Sequence, residues 1–259
     1  MSYPGDDWDR HWDDYAGSAE TNPAQKYRRK LIFSWLGRSR LQGACRLLDI
    51  GSGQGDFAAT VHVRFPSVQI LGLELSQSGV EIAARKVPCA TFVQRNLLEP
   101  FTPPESQRNW ATHAVCSEVL EHVDEPCQLL VNAKDYMAPD CELVVTVPGG
   151  PMSAFDRHIG HRRHFRCQDL RELLAAAGYQ TEIVTGSGFP FFNLYRWVVI
   201  LRGDRLIDDV ASGTGKSSSA AARVAMVLFD FLFWFNLASC RWGWQIIAKA
   251  RPASRGGSS

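Results

Sequence analysis

Residues 47–56 read LLDIGSGQGD, an apolar run that ends in Asp49 and Ile50 and opens into Gly51, Gly53 and Gly55. Glycines at that spacing, after a strand and before a helix, let main-chain N–H groups approach a ligand closely. A dinucleotide fingerprint requires G-x-G-x-x-G, and the place of its third glycine is held by Asp56. Pyrophosphate between Asp49 and Asp56 would be repelled, whereas an amine or a sulfonium would be stabilised by the same carboxylates at low local dielectric. Ser52 lies inside the loop. Glu74 comes nineteen positions after Gly55, where a carboxylate can accept both hydroxyls of a ribose, and Leu75 follows it. Taken alone Glu74 reads as a solvated strand end; its register with the glycine loop favours the ribose. Asn96, in QRNLLE, offers a side-chain oxygen to an exocyclic amine, with Leu97 flanking the ring. A second concentration of chemistry is DRHIGHRRHF, with three histidines and three arginines within residues 157–164. It suits either a clamp for a carboxylate or a solvated basic loop with one histidine packed beneath it.

These residues need elements that hold them. RLLDIG (46–51), VQILGLEL (68–75), TFVQRNL (91–97), ATHAVCSEV (111–119) and ELVVTVP (142–148) are short apolar runs, several too continuously apolar for a sheet with one wet face. Between them DFAATVHVRF, SQSGVEIAARKV with Ser76 as cap, and DEPCQLLVNAKDYM read as helices. Strand and helix in alternation imply right-handed crossovers and a doubly wound α/β domain. Upstream, residues 1–20 read as an irregular acidic and aromatic arm, and NPAQKYRRKLIFSWLG as a helix from Pro23 to Gly37. Downstream come the loop-like GGPMSAFDRHIGHRRHF, a helix CQDLRELLAAAGY and a strand QTEIVTGSG. Two apolar, aromatic segments at 189–201 and 224–238 follow, joined by a flexible SGTGKSSS, and WGWQIIAKA reads as the final strand. SGTGKS is no phosphate loop, because Val210 stands where the first glycine belongs.

With 259 residues, one α/β domain with an insertion is expected rather than two domains. Twenty-eight basic against 27 acidic side chains leave a net charge of +1, so no global field recruits nucleic acid. The seven cysteines never form a C-x-x-C pair, which argues against a disulfide framework or a thiolate zinc site and for a reducing cytoplasm. The polar N-terminus lacks the pattern of a secretory signal.

S-adenosylmethionine carries both the amine and the sulfonium that such a loop favours. DIGSGQG together with Glu74 resembles the class I S-adenosylmethionine-dependent methyltransferases, over roughly residues 40–190. The resemblance implies a Rossmann-like seven-stranded sheet, mostly parallel with the last strand antiparallel. It implies an N-terminal arm and lid helix over 1–40, a catalytic domain over 41–250 with an apolar helical insertion at 189–240, and a disordered tail at 251–259. Where the family usually has Asp this sequence has Asn96, which touches the adenine contact alone. SEVLEHVDEP is similar to the type 11 subgroup related to ubiquinone and menaquinone biosynthesis. By the same resemblance Tyr15 or Arg29 of the lid meets the cofactor's carboxylate and Glu118 borders its methionine moiety. Tyr27 and Arg28 belong to the same helix, and Tyr27 has the alternative of packing on its inner face.

Methyl transfer from a sulfonium is an in-line displacement, and alignment alone can supply effective molarities on the order of 10^5 M. A neutral histidine acting as base adds about 10^2- to 10^4-fold. His164 and His161 are the first candidates and His122 the next, while His113 reads as a sheet residue. Glu118, Glu121 and His122 form E-x-x-E-H, similar to a metal-binding signature of some quinone and RNA 2′-hydroxyl methyltransferases, which would suit magnesium or manganese. The same letters occur in metal-free relatives, and no metal is expected here. The segment at 224–238 has 15 residues and includes Asp230; a spanning helix needs about 20 apolar residues. The two apolar segments are therefore an ordinary insertion, a cover over an apolar substrate, or an interfacial or dimer surface. The expected reaction moves a methyl group to an oxygen, nitrogen or carbon of a small molecule, such as a secondary metabolite or an apolar ring. The alternatives are a cyclisation within the cofactor that releases methylthioadenosine, a non-catalytic cofactor-binding protein, and a nicotinamide oxidoreductase, which Asp56 disfavours.

Overall fold

The computed structural model describes residues 22–37, 41, 44–211 and 220–253. Along the chain run α1 (Pro23–Leu36), β1 (Arg46–Ile50), α2 (Asp56–Arg64), β2 (Gln69–Glu74), α3 (Gln77–Lys86), β3 (Thr91–Gln94), β4 (Ala111–Ser117) and α4 (Pro126–Ala133). Then come β5 (Met137–Pro148), α5 (Ala154–His158), α6 (Cys167–Ala176), β6 (Tyr179–Ser187), α7 (Phe191–Ala211), α8 (Ala220–Leu232) and β7 (Gln245–Pro252). The strands form one sheet in the order β3-β2-β1-β4-β5-β7-β6. β1 pairs in parallel with β2 and β4, and β7 runs antiparallel to both β5 and β6.

The apolar runs are continuous because both faces of the sheet are covered. Leu47 points into one cluster with Ile70, Val115, Val144 and Ile247, and Leu48 into the other with Leu71, Ala114, Leu143 and Val145. Adjacent residues on one strand thus enter opposite cores, as the two-residue period demands. Strand order reverses between β1 and β4, so the loops after these strands diverge and leave a crevice at their carboxyl ends.

α1 closes one side of that crevice. Asn22 caps it by accepting from the N–H of Ala24, and Pro23 starts it. Ala24, Tyr27 and Leu31 are buried at helical spacing, and the Tyr27 hydroxyl lies 2.6 Å from Ser187 Oγ. Tyr27 therefore packs, the second of its two expected roles, and burial pushes its hydroxyl up to about 12.

Several sequence expectations change. DRHIGHRRHF is not wholly a loop: Ser153 and Asp156 form a capping box that starts α5. β3 stops at Gln94, short of Asn96, and β5 begins earlier than ELVVTVP, at Met137. Arg251 and Pro252, expected in a tail, pair with Gln180 and Tyr179 at the end of β7. His113 sits in β4 against Cys45 and Thr112. Tyr15 and the SGTGKSSS linker lie outside the described residues. Tyr27→Phe should lower stability by about 1 kcal/mol, the usual net worth of one buried hydrogen bond, read as a lower urea midpoint at unchanged slope.

Candidate active site

The loop after β1 lines the crevice. Gly51 has φ +68°, and a Cβ there would lie 2.4 Å from Val119 Cγ2, so glycine is required on two counts. The N–H of Gly53 donates to Glu74 Oε2 at 2.7 Å, and the N–H of Ser76 to its Oε1 at 3.1 Å. Glu74 is thereby locked at the end of β2, facing the cavity. Asp49 is buried with no hydrogen-bond partner on Oδ2. Burial, and then the charge of Glu74, lift its carboxyl to about 7. Asp56, expected to share the attraction of a cation, is engaged elsewhere: it pairs with Lys86 and accepts from Gln54.

These groups line one cavity of about 570 Å³, a volume suited to a nucleoside-sized ligand. Gly51, Ser52, Gly53, Leu75, Leu97 and Arg29 line it as expected. Asn96 lines it too, but its Oδ1 accepts from the N–H of Leu98 and its amide donates to Glu99, so it shapes its own turn. Gly55, with φ +80°, starts α2 behind the wall.

Glu118 follows β4 with φ +57°, a left-handed conformation rare outside glycine and concentrated at functional sites. Its carboxylate accepts from Gln245 Nε2 at 2.9 Å and from Thr146 Oγ1 at 3.3 Å, and Arg28 Nε stands 3.3 Å away. Arg28 also donates to Gln245 Oε1 at 3.0 Å. This knot joins α1 to the sheet, and its polar partner Gln245 carried no motif.

The histidines divide by role. His122 and His161 line the cavity, their ring centroids 4.7 Å apart. His164 is not among the lining residues; it sits behind, with Nε2 3.2 Å from His161 Nδ1 and Nδ1 3.0 Å from the carbonyl of Gly150. A carbonyl only accepts, so His164 Nδ1 carries the proton, its Nε2 accepts from His161 Nδ1–H, and His161 Nε2 is left with a bare lone pair. Burial, and then His122, hold His161 down to about 2, so its ring is neutral. His164, expected as a base, is separated from the cavity by His161.

Asp156 anchors this corner. It accepts from the N–H and Oγ of Ser153 and receives the Arg196 fork at 2.7 and 3.0 Å. Against the burial that would raise it, Arg196 and Ser153 bring its carboxyl to about 2. None of the three arginines of DRHIGHRRHF lines the cavity. Arg162 pairs with the Asp124 carboxylate and Arg163 donates to the Asp124 carbonyl, so both tie two loops together. Cavity-facing cations come instead from Arg28, Arg29, Arg95 and Arg196.

Glu121 is fully buried and neither carboxylate oxygen accepts a hydrogen bond; burial and Glu118 push its carboxyl well above the usual range. Glu121, His122 and His161 present ligand atoms within 4.8 Å of one another. An ion held there would act as a Lewis acid on an acceptor oxygen. Glu118, the first acid of E-x-x-E-H, is committed to Arg28 and Gln245, and His161 takes its place in the group.

A family model described as a methyltransferase domain matches residues 19–183. This chain belongs to that methyltransferase family. The methyltransferase is 27% identical to a trans-aconitate 2-methyltransferase of Methylobacterium nodulans over 195 residues, 70% of this chain and 71% of that protein. The 4+2 cyclase SpnF matches with a TM-score of 0.57 at 21% identity, over 88% of this chain and 82% of its own. Phosphoethanolamine N-methyltransferase 2 of Haemonchus contortus, in complex with S-adenosyl-L-methionine, matches with a TM-score of 0.60 at 16% identity, over 95% of this chain and 57% of its own. At these identities the structural likeness is one of fold. The enzyme is a class I methyltransferase that uses S-adenosylmethionine, and the orphaned Asp49 oxygen beside the glycine loop suits a cationic ligand.

A cation binds the deprotonated form of Asp49, so affinity should rise as pH passes upward through about 7. Calorimetry with S-adenosylmethionine should show about tenfold tighter binding at pH 8 than at pH 6, following the ionised fraction. Asp49→Asn should bind weakly with no such pH dependence.

Proposed function

We propose that this methyltransferase moves the methyl group to an oxygen, nitrogen or carbon atom of a small, largely apolar molecule, a hydroxyl being favoured. The observation that carries this is the neutral His161, whose free lone pair belongs to a residue lining the same cavity as the aromatic side chains of Phe155, Phe192, Tyr195 and Trp244. The donor supplies an electrophilic methyl on a positively charged sulfur. Glu74 would hold the ribose hydroxyls, Asp49 the cationic portion, and Arg28 or Arg29 the carboxylate. Leu75, Leu97 and Asn96 would border the adenine.

His161 Nε2 would accept the hydrogen bond of the acceptor O–H or N–H and turn a lone pair toward the methyl group. A weak base is adequate for that task. Alkylation of a neutral oxygen makes its proton strongly acidic, so the proton departs late and to a neutral imidazole. His164 fixes the tautomer of His161, and His122 packs edge-on against its ring. Aromatic walls exclude water and hold an apolar acceptor in line.

Incubation with methyl-labelled donor and a small-molecule extract should place label in a low-molecular-weight product with release of S-adenosylhomocysteine. Methylthioadenosine formed from the donor alone would point instead to cyclisation, and donor binding without turnover to a non-catalytic protein. Against the identified acceptor, His161→Ala should lower kcat about 10^2-fold or more, with little change in donor affinity. With an imidazole receiving the proton, turnover should persist in a chelator. A loss restored by manganese would assign that work to an ion at Glu121, His122 and His161.

A further inference from the structure

α7 and α8 pack on each other and on α1 through a ring cluster in which Tyr195 meets Phe229 and Phe233 at 5.3 and 5.8 Å and Tyr27 meets Phe192 and Phe233. Phe192 of α7 is buried, as is Phe233 in the turn that follows α8, and Phe229 gives α8 its inward ring. The outer faces of both helices are apolar as well. On α7 the exposed residues are Leu194, Trp197, Val198 and Leu201, and on α8 Val224, Val227, Leu228 and Phe231. Each set recurs at i, i+3, i+4 and i+7, the stripe that a helix normally buries. Beyond α8 the apolar exposure continues through Trp234, Phe235 and Trp242. Leu201 is 81% exposed, Trp234 72% and Val227 71%. A run of this extent marks a contact surface rather than scattered apolar residues.

The charges beside it select the partner. Lys30 lies 3.6 Å over the Trp234 ring, Arg241 lies 4.8 Å over Trp242, and Arg202 and Arg223 are exposed on the two helices. Across residues 191–242 six basic residues stand against four acids, Asp204, Asp208, Asp209 and Asp230, and Lys26 of α1 pairs with the last of these at 2.9 Å. Residues 22–37 contain two lysines and two arginines and no acid. A second copy meeting this face would bring like charges together. Tryptophan, aliphatic stripes and flanking cations on helices lying flat are the composition that partitions into the headgroup region of an anionic bilayer. No helix among the described residues is long and apolar enough to cross a membrane, so the contact is peripheral.

We propose that the outer faces of α7 and α8 dock this protein on an anionic lipid surface. The inference stands apart from the methyl acceptor, yet it bears on access. Tyr195, Arg196 and Val199 of α7 line the cavity, so the helix lying on the bilayer is also a wall of the acceptor site.

Sedimentation of the full chain with vesicles of phosphatidylcholine, with and without about one-third phosphatidylglycerol, tests the proposal. Binding is expected to the anionic vesicles, weakened by salt, with quenching of tryptophan emission by lipids brominated near the headgroup. Leu201→Asp combined with Phe231→Asp, both at exposed positions, should cut binding at least tenfold while the melting temperature and donor binding hold. Arg223→Ser should cut it about fivefold. Unbroken tryptophan emission beside brominated lipid, binding unchanged in the folded double variant, or a dimer in light scattering that the double variant makes monomeric would each overturn it. Should the double variant fail to fold, the quenching of the unsubstituted protein decides.

Discussion

Burial of carboxyl groups at the carboxyl edge of the sheet is the constraint around which this molecule is arranged. Asp49, Glu74 and Glu121 are each less than a tenth exposed, and Glu118 is partly buried beside them. Taking carboxylates out of water is expensive unless each finds a partner. Glu74 is satisfied by backbone N–H groups and Glu118 by Arg28, Gln245 and Thr146, but Asp49 and Glu121 respond by holding their protons more tightly. A site built this way leaves Asp49 with a buried oxygen that no group of the protein engages.

The same constraint links the parts of the fold. Arg28 comes from α1, Glu118 from the end of β4 and Gln245 from the start of β7, so three distant stretches meet in one knot. On the other side Asp156 gathers Ser153 and Arg196, and His164 and His161 stand in series beside it. This corner is thus tied together by charge-assisted contacts, with a neutral imidazole on the cavity side.

The central sheet was legible because its signal is local. The runs at 46–51, 68–75 and 111–119 alternate with helices, and both-face burial follows from their unbroken apolarity. The glycine loop and Glu74 were legible for the same reason, since backbone conformation restricts which residues can stand there. The histidine-rich stretch was less so: its density drew attention to three rings, but which of them faces the cavity depends on the Gly150 carbonyl and on Asp156. Its arginines suited a substrate clamp or a solvated loop, and Arg162 and Arg163 are bound to the loop that carries Asp124 while Arg157 donates to the Ser153 carbonyl. A basic run states its charge and leaves its partner unstated.

The sequence by itself determined the order of strands and helices, the bare-backbone turn at Gly51–Gly55 and the acid that ends β2, because each depends on neighbours a few residues away. Only the tertiary structure decided that Asp49 rather than Asp56 keeps an uncommitted oxygen, that Gln245 and Arg196 belong to the site, and that His164 stands behind His161. Those outcomes turn on contacts between residues as far as 217 positions apart, as between Arg28 and Gln245. Burial and charge at such contacts are properties of the folded arrangement, and no single stretch of chain encodes them.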